Sequence, residues 1–415
     1  PEHAVAESHI IARVHASMLD VDPQAWNALL AHQAHATPFM RHEYLAALET
    51  SGSATPRTGW TPRFLTLWDA GVLVAACPLY LKTHSYGEYV FDWAWASAYE
   101  QHGVPYYPKA LVAVPFTPVP GSRLLARDAT ARAQLVQAAR QWCMEEDISS
   151  LHLLFAAEED IATCADQGLM LRHTVQFHWQ NTAPVAPVMS SEATSEWLAM
   201  PNRFTSFDDF LASLAQEKRK KIKQERRRVA DAGVTFRCLQ GKDISTGDWD
   251  FFYRCYERTY LEHGNAPYLT RAFFARMAAH MPEAWLLFVA ERGGQPIATS
   301  LIAVSALPSN SSGQKDQNLV AYGRYWGALE RVDCLHFEAC YYQPLQWCIE
   351  HGVVRFEGGA QGEHKMARAL LPVQATSAHW LAHPAFSDAV ERFLAREGAG
   401  VEDYLSDLQA RSPFK

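Results

Sequence analysis

The chain carries one layout twice, and that constrains its fold more than any single motif. In the first half "FLTLWDAGVLVAACPLYL" reads as strand, tight turn, strand; in the second "LLFVAERGGQPIATSLIAV" reads the same way. The turns hold Asp69-Ala70-Gly71 and Gly293-Gly294, where glycine supplies the positive φ of a tight hairpin. Further on, "RQWCMEEDISSLHLLF" matches "LQWCIEHGVVRFEGG", each a helix end feeding a strand. Gly71 corresponds to Gly294 and Trp142 to Trp347, so the first copy is longer by about 18 residues. The extra stretch includes "VPYYPKALVAVPFTPVPGSRLL". Hairpins mixed with helices in both copies predict α+β layers rather than a doubly wound parallel sheet.

A chain of 415 residues exceeds one ordinary core. The duplication divides it into a first domain over 12–182, a linker over 183–205, a second domain over 206–386 and a C-terminal helical tail over 387–415. The linker is marked by its Pro, Ser and Ala content. Ser206, with Asp209 three residues on, predicts a helix start, and that helix continues through "EKRKKIKQERRRVADAG" to Gly233. A second helix is expected over Leu335–Glu350, bent at Pro344, with Phe337, Cys340, Tyr341, Leu345 and Cys348 on its core stripe.

The net charge of −8 argues against a surface built as a whole for nucleic acid or anionic lipid. Eight cysteines without a CxxC pair predict free thiols, a cytoplasmic setting and no metal site. No apolar run is long enough for a membrane span, and Pro1–Asp22 shows no apolar signal core. GxSxG, P-loop and GxGxxG patterns are absent.

The chemistry concentrates in "RFEGGAQGEHKMARALLP", Arg355–Pro372. Glu357 ends a strand; Gly358 and Gly359 allow close backbone approach, with amides suited to an oxyanion. Gln361, Glu363, His364, Lys365 and Arg368 exceed what a turn needs. One helix earlier, Glu338 and Tyr342 stand four apart, a general base with a neighbouring proton donor or a boundary pair of the core. The first copy has Ala133 where the second has Glu338, and "LHLLFAAEED" where the second has its glycines, so catalysis is expected on the second half.

Eight cations and two anions fall between Glu217 and Arg228. Lys218, Arg219 and Arg226 are expected to hold phosphates there, on a nucleotide-linked donor or a tRNA arm. Tyr106, Tyr107, Lys109, Thr117 and Arg123 of the insertion are candidate donor contacts, although Pro118 and Pro120 deny it a full amide cradle. Asp92, Trp93 and Trp95 just before it line a pocket or pack, with packing favoured for the tryptophans.

"FEACYYQPLQWCIEHG" and "FEGGAQGEHKMARALLP", with "VPYYPK" and "PFTPVPGSRLL" upstream, resemble the FemAB-like family labelled peptidoglycan biosynthesis/recognition. The resemblance runs from Asn27 to Phe386. It implies kinship to the Fem aminoacyl transferases within the GCN5-related N-acetyltransferase (GNAT) superfamily, and so two tandem GNAT-like domains around a cleft. It implies that Lys365 neutralises charge near the reacting carbonyl. The long coiled-coil arm of Fem enzymes is missing, since no heptad stretch exists.

The expected function is N-acyl transfer from acyl-CoA, a co-substrate rather than a bound cofactor, to an amine acceptor. Glu338 or Glu357 takes the proton, Gly358-Gly359 or Lys365 holds the oxyanion, and Tyr341 or Tyr342 protonates the leaving group. Two alternatives stay open: an aminoacyl-tRNA-dependent transferase of peptidoglycan cross-bridges, and a non-catalytic protein recognising a cell-wall precursor or RNA.

Overall fold

Both glycine turns close hairpins. The computed structural model describes residues 9–183, 202–305, 319–360 and 362–415. Gln361 and most of the expected linker lie outside the described residues. Two compact units emerge. The first holds the chain to Thr174 with Tyr268–Arg276 and Gln374–Glu402; the second holds Val175–Pro267, Met277–Val373 and Asp403–Lys415. Two segments therefore cross the linear division read from the sequence.

The first unit contains β1 (Ile10–His15), β2 (Trp60–Pro62), β3 (Phe64–Asp69), β4 (Val72–Cys77), β5 (Leu79–Lys82), β6 (Lys109–Val112), β7 (Leu125–Ala126) and β8 (Ser150–Leu153). Strand β9 (Met170–Gln180) leads the chain into the second unit. There follow β10 (Val234–Gln240), β11 (Trp285–Arg292), β12 (Gln295–Val304), β13 (Val320–Ala328) and β14 (Arg355–Glu357), before β15 (Leu371–Leu381) leads back. The helices are α1 (Pro23–Ala31), α2 (His42–Thr50), α3 (Trp93–Gln101), α4 (Ala129–Glu145), α5 (Glu158–Asp166), α6 (Phe207–Ala212), α7 (Gln216–Asp231), α8 (Thr246–Glu262) and α9 (Arg271–His280). After them come α10 (Leu335–Phe337), α11 (Gln343–Glu350) and α12 (Pro384–Ala410).

The duplication is visible in pairing. Hairpin β3–β4 turns at Ala70 and Gly71, and β11–β12 at Gly293 and Gly294, all with positive φ. Each copy then makes a parallel pair around a helix. In the first unit β6 lies parallel to β8, with α4 between them in sequence; in the second β13 lies parallel to β14, with α10 and α11 between. Each unit has its own apolar core, one around Val112, Leu135 and Leu151 and their neighbours, the other around Trp179, Phe210, Leu345 and Phe356.

Two helix expectations need correction. The helix expected from Ser206 to Gly233 is broken into α6 and α7. Leu214 bridges Phe414, and the Ala215 N–H donates to Pro413 O at 3.0 Å, so the C-terminal segment takes the backbone groups that would have joined the helices. The helix over Leu335–Glu350 contains a π turn, Glu338–Tyr342, between α10 and α11. Pro344 has no N–H for the Cys340 carbonyl, and the chain widens into the π turn just before it.

Close backbone approach fixes α8 on the sheet at Gly327. A Cβ there would stand 2.0 Å from the Cys255 carbonyl oxygen. Backbone cannot yield as a side-chain tip can, so Gly327→Ala should destabilise the protein by about 1–3 kcal/mol. The check is the urea midpoint; an unchanged midpoint would refute this packing account.

Candidate active site

Strands β13 and β14 pair only at Val320–Arg355, Ala321–Phe356 and Tyr322–Glu357. Beyond that they part. A register shift in β13 opposite Leu301/Ile302 marks the place, and past Glu357 the chain stays on β9, where Gly358 N–H donates to Phe177 O at 2.9 Å. A cavity of 140 Å³ occupies the wedge. Its walls are Gly323, Arg324, Tyr325 and Trp326 of β13, Ser300 and Ile302 of β12, Phe356 and Gly358 of β14, and His336, Cys340 and Tyr341 of the helical segment.

His336, Cys340 and Tyr341 are neutral near pH 7. Burial, reinforced by His364 and Lys365, lowers His336 to about 4. Burial raises the Cys340 thiol to about 12 and lifts the Tyr341 hydroxyl far above its usual range. Arg324 is the cation of the lining, and its NH2 donates to Tyr325 Oη at 2.9 Å. The pocket therefore suits a neutral carbonyl compound with hydrogen-bonding groups better than a naked anion.

Of the residues expected from the sequence, Tyr341 and Gly358 line this cavity. Glu338 and Tyr342 face α7 instead. Arg226 Nε donates to both Glu338 oxygens, at 3.1 and 3.0 Å, and Gln343 adds a third bond at 3.3 Å. Burial raises the Glu338 carboxyl against the pull of Arg226. Tyr342 donates to Glu225, whose other oxygen accepts from Arg368 NH2 at 2.8 Å. Arg368 is 4% exposed, so it faces an internal carboxylate and not a ligand phosphate.

Glu357 lies on the face of β14 opposite Phe356. Its cross-strand neighbours are Tyr322 and His178. Arg355 bonds its Oε2 at 3.2 Å, while Oε1 has no hydrogen-bond partner among the described residues; His178 Nε2 stands 3.5 Å away. Burial raises this carboxyl to about 7, against the opposing pull of Arg355. Lys365 Nζ donates to Gly358 O at 2.8 Å and Ala360 O at 2.7 Å, and burial lowers it to about 8. Two of its three protons thus hold the glycine turn in shape. The Gly358 amide is already spent on Phe177, which removes it as an oxyanion donor. Gly359 accepts from Phe177 through its carbonyl and has φ +75°. His364 is exposed at the rim, near Phe337 and Tyr341.

The basic helix α7 splits by face. Ile222, Glu225 and Val229 point inward, while Lys220, Lys221, Lys223, Arg227 and Arg228 are exposed and form no ion pair among the described residues. Lys218 and Arg219 are half-buried at its start.

The insertion residues belong to the first unit, and all but the half-buried Tyr107 are internal. Lys109 Nζ lies 2.6 Å from both Glu88 and Asp92; Tyr106 donates to Asp92; Tyr107 Oη meets Ser85 Oγ at 2.6 Å. Thr117 Oγ1 bonds Tyr44 Oη at 2.9 Å and Pro115 O at 2.9 Å. Arg123 is 1% exposed, donates through NH2 to Val119 O, and is lowered to about 10 by burial. Each is committed to a partner inside the unit, and burial leaves a phosphate no access to Tyr106, Lys109, Thr117 or Arg123. Among the described residues no three His, Cys, Asp or Glu are grouped to hold a metal ion, and no helix is long and apolar enough to cross a membrane.

Comparison with known proteins agrees with this architecture. A FemAB-like family model, described as peptidoglycan biosynthesis/recognition, matches residues 17–415. No curated protein matches the sequence. Among solved structures, FemX superposes with TM-score 0.52 at 10% identity, over 89% of this chain and 98% of that one. L-PGS from Bacillus licheniformis superposes with TM-score 0.51 at 12% identity, over 90% and 97%. A looser likeness, TM-score 0.44 at 12% identity, covers 90% of this chain and 99% of a tandem GNAT protein from the clavulanic acid biosynthesis pathway. At such identities the likeness concerns the fold, and the duplicated α+β class expected from the sequence holds.

Proposed function

The chain belongs to the FemAB-like family, and from that premise we propose that it is an N-acyltransferase whose thioester donor enters the wedge between β13 and β14. The family and fold support an acyl- or aminoacyl-transferase in peptidoglycan-related processes. The parting of the two strands carries the finer reading. The register with β14 ends at Tyr322, and the cavity walled by Gly323, Tyr341 and Gly358 opens just beyond it, where the end of an extended chain bearing a carbonyl can enter. The pantetheine arm of acyl-CoA is such a chain, and its thioester is the kind of neutral carbonyl the cavity suits.

In this reading the acceptor amine attacks the thioester carbon from the face of β14 that carries Glu357, opposite the Phe356 face against which the donor lies. The N–C bond forms, Glu357 takes the proton from nitrogen, and the C–S bond breaks. Tyr341, neutral in the cavity, gives its proton to the departing thiolate and is reprotonated from solvent. Lys365 holds the Gly358–Ala360 turn in place and keeps one proton for the developing oxyanion. Amine acceptor and acyl donor are substrates, and none of these steps needs a resident cofactor.

One observation favours the tRNA-dependent alternative. The exposed cations of α7 form a face suited to a nucleic-acid backbone. Thermal-shift titrations separate the two. With acetyl-CoA or a longer acyl-CoA the melting temperature should rise, and Ser300→Leu, which fills the wedge, should abolish that rise. Silence toward every CoA thioester, with salt-sensitive tRNA binding lost in K220E/K223E/R227E, would replace this donor with aminoacyl-tRNA.

A further inference from the structure

Between β5 and α3 the chain alternates in burial although it forms no strand. Ser85, Glu88, Val90 and Asp92 point inward; Tyr86, Tyr89, Phe91 and Trp93 point to solvent. The inward residues are pinned. Lys109 Nζ donates to Ser85 Oγ at 3.0 Å and to Glu88 and Asp92 at 2.6 Å each. Backbone is held as well: Lys82 Nζ donates to Tyr86 O at 2.9 Å, and Arg172 NH1 to Phe91 O at 2.8 Å. At Gly87, φ is +80° and a Cβ would stand 2.7 Å from the Phe116 ring, so the loop sits tight on its base.

Charges buried under a surface loop cost desolvation and stabilise little beyond what apolar packing would. Their effect here is to fix a conformation that keeps large rings in water. Tyr86 is 58% exposed, Phe91 58% and Trp93 42%. Tyr86 and Trp93 lie 5.1 Å apart at 60°, forming an angled pair. Single exposed aromatics are ordinary, but three on one pinned loop and Trp93 at the start of α3 behind it are a preorganised contact surface, because their ordering entropy is lost before a ligand arrives. The sequence reading favoured packing for both tryptophans; Trp95 does pack, at 4% exposure, and Trp93 does not.

We propose that this loop is a stacking platform for uncharged sugar rings and takes the N-acetylhexosamine backbone of a glycan strand. Charge selects the occupant. Lys82, Glu88, Asp92 and Lys109 are buried, and the half-buried Arg172 is paired with Glu397 at 2.9 Å, so the platform offers little to a lipid phosphate or a nucleic-acid backbone. Flat aromatic faces fit the C–H faces of a pyranose, and tyrosine hydroxyls fit its polar edge. The proposal rests on the family's peptidoglycan assignment and is independent of the transfer chemistry argued for the second unit.

The test is titration of the full-length protein with the β-1,4 tetramer of N-acetylglucosamine, followed by tryptophan fluorescence and calorimetry. Y86A/W93A should bind about tenfold more weakly or worse, with an unchanged melting temperature and unchanged transfer to a small soluble amine. Equal binding by wild type and variant, or no binding by wild type, overturns the platform. Binding to phosphatidylglycerol vesicles that is lost in the same variant, without oligosaccharide binding, overturns it in favour of a membrane. Oligosaccharide binding lost in the variant, by a wild type inactive with every donor, upholds the platform and removes the transfer reading alone.

Discussion

Glu357→Gln is expected to lower kcat by about 10²–10⁴-fold and leave the donor KM nearly unchanged, since a general base acts in the transition state and not in donor binding. Glutamine keeps the shape and the bond from Arg355 but cannot take a proton. The pH profile adds a second signature. Burial raises this carboxyl to about 7, and a base works only when ionised, so wild-type kcat should climb as pH passes upward through about 7 and then level. Residual activity in the variant should lack that limb. A variant with wild-type kcat removes Glu357 from the mechanism.

The same group marks stability with a definite sign. Its folded value lies above the ordinary 4.5, so the folded protein holds a proton that the unfolded chain releases. That contribution is complete below about 4.5 and is lost as pH rises to about 7. Glu88 and Asp160, also raised by burial, titrate in part of the same window. The informative quantity is therefore the difference between wild type and E357Q, which should narrow or change sign in favour of the variant as pH rises from 5 to 8 by about one pH-dependent step.

What was legible in the sequence was local. Hairpins, the cap at Ser206 and the strand ending at Glu357 follow from spacing and turn chemistry, and duplication follows from order. What was not legible depends on partners far apart. Lys109 looked like a phosphate ligand because Glu88 and Asp92 lie in a separate segment, and nothing local says that all three meet in an interior. Arg123 misled for the same reason, its backbone being held by Asp160. The wedge was missed because its cause is a register shift in β13 and the end of its pairing with β14, neither of which leaves a mark in the pattern of apolar residues. His336, Ser300 and Tyr325 thus join Tyr341 at the cavity with no signal beyond their own chemistry. Glu338 was the reverse case: helical spacing placed it beside Tyr342, but the π turn sends both toward α7.

That contact with α7 yields the largest expected effect on stability. Glu225 accepts from Tyr342 through one oxygen and from Arg368 through the other, and all three residues are buried. Arg368 also lies over the Phe337 ring at 3.5 Å and donates to His364 O at 2.8 Å, while its Nε has no partner among the described residues. Glu225→Ala removes the anion and leaves a guanidinium and a phenol in an apolar setting, which should cost about 3–5 kcal/mol. A buried pair is worth far less than the penalty for splitting it, so E225M/R368M should recover most of the loss. Urea midpoints of wild type, E225A and E225M/R368M decide the matter. If the double variant is as unstable as E225A, the penalty does not come from a stranded charge. If E225A is nearly neutral, the π turn that carries Cys340 and Tyr341 to the cavity does not depend on this pair.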